Sequence, residues 1–226
     1  ESDKLKEQIP KWHKVSDGDL PDTNRDVLSD KGDIGQANGK GLRVKVADNK
    51  VLNAEADSIY LKGYGDNKNV NLGKFIARKG NIGLESKLWD VFLKNDISAN
   101  NIELVVRSLT RIAGSLSVNK ILKVISENGI MLPNSSNKIP EAYLYNNKTG
   151  NISLSTNTDL TLHRAENNAD AGSLSIIAQG AVNAIEGMLS MGNLFVWSNG
   201  DITSQKGIKA EQWTGLYSDN GGINVK

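Results

Sequence analysis

Gly150-Asn151-Ile152-Ser153-Leu154 and Asp159-Leu160-Thr161-Leu162 carry a phrase that the chain keeps repeating. It consists of a turn residue, then Asn, Asp or Ser, then apolar residues at alternate positions. The phrase returns at Gly172-Ser173-Leu174-Ser175-Ile176, Gly180-Ala181-Val182 and Gly192-Asn193-Leu194-Phe195-Val196. It closes at Gly200-Asp201-Ile202, Gly215-Leu216 and Gly222-Ile223-Asn224-Val225. The first apolar positions are 152, 160, 174, 182, 194, 202, 216 and 223. Short gaps of about 8 residues alternate with long gaps of about 12–14, giving a unit of roughly 20–22, within solenoid range. Period two sends Ile152, Leu154, Leu160, Leu162, Leu174 and Ile176 to one face. A unit of this size cannot cover its own apolar face, but stacked units make one continuous core. The expected fold is therefore all-β: a right-handed parallel β-helix with coils of about 21 residues. The handedness follows the general preference of parallel crossovers. Sandwiches and barrels also use Gly-Asp-apolar turns, but they do not predict alternating gaps over four units.

Composition narrows the chemistry. The chain has no cysteine, which excludes a thiolate nucleophile, an iron–sulfur cluster and a cysteine zinc site. Lys plus Arg number 27 and Asp plus Glu 26, intermixed, for a net charge of +1. That leaves no electrostatic footprint for nucleic acid. No apolar run approaches the ~20 residues that span a bilayer as a helix, so a membrane-spanning role is not expected. Residues 1–14 are charged and polar rather than signal-like, and the chain reads as an internal piece of a longer polypeptide.

Along the chain, residues 1–40 read as an irregular polar leader or cap. Residues 41–118 read as less regular coils, with Leu42-Arg43-Val44-Lys45-Val46, Gly80-Asn81-Ile82-Gly83-Leu84 and Gly114-Ser115-Leu116-Ser117-Val118 as their clearest phrases. Between 119 and 149 the pattern fails. Residues 120–126 suit a strand or a short amphipathic helix, and Leu132-Pro133-Asn134-Ser135-Ser136-Asn137 is loop-like. This stretch is expected to be an insertion pushed out of the coil; the alternative is a coil whose sequence has drifted. Residues 150–226 are the regular coils.

The phrases at 150–155, 159–162 and 199–204 resemble the haemagglutinin-type repeat of large bacterial exoproteins. These are the filamentous haemagglutinins and the contact-dependent growth inhibition effectors, exported by two-partner secretion. The resemblance covers about 150–226, is weaker over 80–118 and thin before 60. It implies a right-handed β-helical filament at the bacterial surface or secreted from it. The chain lacks the Asn-Pro-Asn-Gly export motif. Glu166-Asn167-Asn168 lacks the Val of the Val-Glu-Asn-Asn boundary before a toxin. What remains is shaft, or the receptor-recognising stretch of the shaft. The implied partner is an outer-membrane protein or lipopolysaccharide of a neighbouring cell, or, for a host-directed adhesin, a host glycan.

No catalytic, metal or cofactor constellation emerges. Asp159, Glu166, Asp170, Glu186, Asp201 and Asp219 are scattered among turns, whereas a glycan-degrading β-helix such as a phage tailspike needs clustered carboxylates. His13 and His163 are far apart and lack ligand spacing. Stacking is more informative. Aligning Ile152, Leu174, Leu194 and Leu216 as one inward column points Ile177, Phe195, Trp197 and Tyr217 outward on one sheet. Clustered outward aromatics suit a partner surface. Tyr143 and Tyr145 join the candidate site if the insertion lies against that patch. A register error of one residue would turn Trp197 inward.

Overall fold

A computed structural model of the chain describes residues 24–226. Among these residues every named strand pairing is parallel and no helix occurs. The strands stack as a β-solenoid of about nine turns, consistent with a right-handed parallel β-helix. On one face Ile152–Thr156, Leu174–Ala178, Leu194–Ser198 and Thr214–Ser218 lie in register. On a second face Ile102–Arg111, Ile121–Ser126, Glu141–Asn146 and Leu160–Asn167 follow one another. At Leu160–Asn167 this second face divides. Its first half continues into Val182–Ala184, Ile202–Ser204 and Ile223–Val225, and its second half into Met188–Ser190 and Ile208–Ala210. After the first coil, the step between paired residues runs from 18, where Val91 faces Leu109, to 23, where Ile59 faces Ile82.

Period-two alternation drives this arrangement. Leu104, Val124 and Leu144 are opposite one another and buried, as are Leu154, Ile176 and Val196. Each buried aliphatic side chain contributes roughly 1.5–3 kcal/mol relative to exposure. No coil can collect that gain without its neighbours. The last coil is covered on one side only, and Ile223 is 49 % exposed.

The corners explain the repeated phrase. Asp159 Oδ1 accepts the Ala181 N–H at 2.8 Å, and Asp201 Oδ1 accepts the Gly222 N–H at 2.7 Å. Asn151 Oδ1 accepts the Ser173 N–H at 2.9 Å. Each corner side chain thus satisfies an amide one coil later that has left the sheet ladder. A Cβ on Gly180 would meet Asp159 Oδ1 at 2.1 Å, and one on Gly221 would meet Asp201 Oδ1 at 2.5 Å. These glycines make room for the carboxylate below, beyond the turn freedom the sequence suggests.

Inside, a polar ladder lines one corner. Ser126, Asn146, Asn167 and Ser190 occupy successive coils in register, all buried. Asn146 Oδ1 accepts the Ser126 hydroxyl and the Gly129 N–H, each at 2.8 Å. Its amide donates to Thr149 O at 2.8 Å and to Asn167 Oδ1 at 2.9 Å. Asn167 in turn donates to Gly150 O at 3.1 Å and Ser173 O at 2.8 Å. The buried turn backbone is thus satisfied by side chains.

Two expectations are corrected. Residues 119–149 are not an insertion: Ile121–Ser126 pairs with Ile102–Arg111 and Glu141–Asn146, and Ile130–Leu132 pairs with Ile152–Thr156. The stretch is coil, and 121–126 is strand. Its inward corner positions are the polar Ser126, Asn137 and Asn146, which hides the apolar alternation. The leader also shrinks. Residues 1–23 lie outside the described residues, but Arg25–Leu28 pairs with Lys50–Ala56, and Ile34 bridges Ile59. Coils therefore begin before residue 41.

Away from the ladder, Asp90 accepts Arg107 Nε–H at 2.9 Å and the Ser108 hydroxyl at 2.6 Å. Burial works to raise its carboxyl pKa, but the Arg107 and Ser108 hydrogen bonds outweigh it and hold it below the ordinary range. A depressed carboxylate stabilises the fold above its unfolded pKa of about 3.9, and that gain is lost as pH falls through the folded value.

Two measurements check this account. Asn146→Ala leaves the Gly129 N–H and neighbouring groups buried without partners and is expected to cost about 2–4 kcal/mol. Urea unfolding should show it, with the exposed Asn157→Ala staying within about 0.5 kcal/mol of the parent. Asp90→Asn should lower stability by about 1 kcal/mol at pH 6, after allowance for solvent screening. Repeating the melts at pH 3 and below should show that deficit shrinking; a constant deficit would assign the loss to packing.

Candidate functional site

The outward residues of the last three coils form an aromatic face. Ile177 faces Trp197, and Trp197 faces Tyr217. Neighbouring strands lie about 4.8 Å apart, so these side chains are contiguous. Phe195 lies beside them, its ring centroid 5.6 Å from that of Tyr217 and tilted 39°. Ile177, Phe195 and Trp197 are half-buried, while Tyr217 is 50 % exposed.

The register of the last coil differs from the sequence alignment. Thr214, not Leu216, faces Leu194, and Leu216 faces Val196. The slip is two residues, which preserves parity in a period-two strand. Tyr217 therefore still points outward, but its partner on the neighbouring strand is Trp197 rather than Phe195. The position opposite Phe195 is Gly215. There a Cβ would come 2.2 Å from Trp213 Cη2, so the Trp213 ring lies over the glycine. Trp213, 49 % exposed, fills the outward place that Gly215 leaves empty. The sequence puts Trp213 in a connection, where an exposed contact role is open, but does not place it on the aromatic face; a glycine at an outward strand position beside a large aromatic is the available signal.

Tyr143 and Tyr145 belong elsewhere. They sit in Glu141–Asn146 on the second face, paired with 121–126 and 160–167, and do not cover the aromatic patch. Arg164 stacks over Tyr145, its guanidinium carbon 4.3 Å from the ring centroid. It also donates to the Tyr143 hydroxyl at 2.7 Å and, through Nε, to Glu166 at 2.6 Å. Burial acts to lower the Arg164 pKa, but the Tyr143 and Glu166 hydrogen bonds prevail and raise it. A bulge at this point, where Ala142 faces Leu162 but Tyr143 faces Arg164, brings Arg164 into the cluster. His163, the extra residue, is 2.6 Å from Glu141.

Four of the six candidate carboxylates are occupied structurally. Asp159 and Asp201 hold corner amides, Glu166 holds Arg164 and Asn168, and Glu186 pairs with Lys206. Among the described residues no group of three His, Cys, Asp or Glu could hold a metal ion, and no helix is long and apolar enough to cross a membrane. Trp89 is fully buried and occupies the space beside Gly63, where a Cβ would meet its ring at 2.5 Å; it is a core residue.

Compared with known proteins, the chain matches no family model, no curated protein and no solved structure.

The Gly215–Trp213 contact is directly testable. With 5-fluorotryptophan incorporated, Gly215→Ala should move the fluorine resonance assigned to Trp213 and leave that of buried Trp89 in place. An unmoved Trp213 resonance would mean the ring does not pack on this glycine.

Proposed function

We propose that this chain is a non-catalytic recognition module of a secreted bacterial surface filament. On this reading Ile177, Phe195, Trp197 and Tyr217, with Trp213, contact a receptor on a neighbouring bacterium, as in contact-dependent growth inhibition. The receptor class is an outer-membrane protein or lipopolysaccharide. One observation carries the reading: four large aromatic side chains gather on two adjacent coils of a flat sheet, with Ile177 on the coil before, and two of the four are about half exposed. Outward strand positions on a solenoid need no aromatic for folding. The equivalent places one or two coils earlier hold Ser153, Ser175 and Ser155. Trp and Tyr are the usual anchors of protein interfaces. The repeat phrases support the filament setting. The engagement of the nearby carboxylates in corner hydrogen bonds and ion pairs supports a binding role over glycan cleavage.

The test is binding of labelled protein to Gram-negative cells, including strains lacking single outer-membrane proteins or carrying truncated lipopolysaccharide. Saturable binding lost in one strain, and weakened about 30-fold by Trp197→Ala as expected for an interface anchor, is the anticipated result. Binding that ignores Trp197→Ala would remove the aromatic face from the mechanism, and no binding to any bacterium would sink the proposal.

A further inference from the structure

A second face carries a feature independent of the aromatic patch. Outward residues in one column are Tyr60, Gly83, Glu103, Lys123, Tyr143 and Arg164, each opposite the next. Two hollows open along this column. The first, of about 510 Å³, lies between the 36–41 loop and the strands bearing Tyr60, Gly83 and Lys123. The second, of about 530 Å³, runs from Tyr143 past Glu166 to Gly187 and Gly207. Lys123 lines the first and Tyr143 the second, and these two face each other on adjacent strands. The hollows are thus consecutive stretches of one path along the solenoid axis. From Tyr60 to Arg164 it covers five coil steps, about 24 Å at a spacing of about 4.8 Å.

The lining defines the ligand chemistry. Every cation that lines the two hollows is matched by a carboxylate. Lys62 is 3.3 Å from Glu85, Lys123 is 2.7 Å from Glu103, and Lys209 is 2.6 Å from Glu211. Arg164 is bound to Glu166, and His163 to Glu141. The path therefore offers no free positive charge to phosphate, sulfate or uronate, and the ion pairs along it do not suit a purely apolar peptide. It does offer flat rings and planar hydrogen-bonding groups. The Tyr60 ring reaches over Gly83, where a Cβ would lie 3.0 Å from Tyr60 Cδ1. Asn81 donates to the Tyr60 hydroxyl at 3.2 Å, and Asn101 donates to Asn81 at 2.8 Å, an amide row along the same edge. Aromatic faces beside amides and carboxylates, with no net charge, suit an uncharged polymer rich in hydroxyls. We infer that this face binds a linear neutral polysaccharide, laid along the axis across successive coils.

The full chain, labelled with ¹⁵N, should be titrated with linear neutral glycans (β-glucan, α-glucan, mannan, xylan and chito-oligosaccharide) and with heparin and polygalacturonate as anionic comparators. One neutral glycan is expected to bind saturably, with little change between 50 mM and 1 M salt, and to shift the amides of Gly83 and Gly187. Tyr60→Ala and Tyr143→Ala should each weaken it at least tenfold, while exposed Lys94→Ala, on another part of the surface, should not. The amide map of the parent chain keeps the test valid if a tyrosine variant fails to fold. Binding by none of the neutral glycans would overturn the inference. So would binding only to the anionic polymers with affinity collapsing in salt, or shifts confined to the Phe195 and Trp197 strand.

Discussion

The backbone of each coil finds its hydrogen-bond partners in the coils above and below, and everything else in the molecule follows from that constraint. Strand residues meet it through the parallel ladders. Corner residues cannot, because the chain turns out of the ladder there, and an unpaired buried amide costs about 1–3 kcal/mol. The structure closes the gap with side chains. Asp159, Asp201 and Asn151 reach an exposed amide one coil onward, while inside Asn146 reaches back to the buried Gly129 N–H and Asn167 holds Ser173 O six residues on. Those side chains then dictate what may stand next to them, as Gly180 and Gly221 show. The repeat is the imprint of this corner chemistry on the sequence.

Because stability resides in inward residues and corners, outward strand positions are left free to vary. The two faces use that freedom differently. The last two strands of one face place Phe195, Trp197 and Tyr217 outward and let Trp213 fold over Gly215. The second face spends its outward positions on tyrosines and matched ion pairs. Arg164, stacked on Tyr145 and bonded to Tyr143 and Glu166, locks that surface in place while neutralising its own charge. One surface is apolar and open; the other is polar, neutral and grooved.

The sequence revealed the fold where inward apolar residues and corner residues kept to their places, as from Ile152 to Ile202. It concealed the coil at 119–149 because Ser126, Asn137 and Asn146 turn inward there, and an inward Asn is indistinguishable from a loop Asn by composition. The outward direction of Trp197 was legible from parity. The partner of Tyr217 was not, because Thr214 takes an inward place held by Leu in the two coils before it. The seat of Trp213 over Gly215 was not legible because that ring acts from outside its strand, and the bulge at His163 that presents Arg164 leaves no mark in a periodic pattern.

The ladders also determine how the molecule meets a pulling force. Their hydrogen bonds run along the solenoid axis, and each coil of about 20 residues is a separate loop of chain closed by its neighbours. Tension along the axis loads a coil through the ladder that joins it to the next, as Ile202–Ser204 is joined to Ile223–Val225. Peeling it would release about 70 Å of extended chain and expose an equivalent coil beneath. Such a shaft lengthens in discrete increments and keeps the remaining recognition faces folded while it does so.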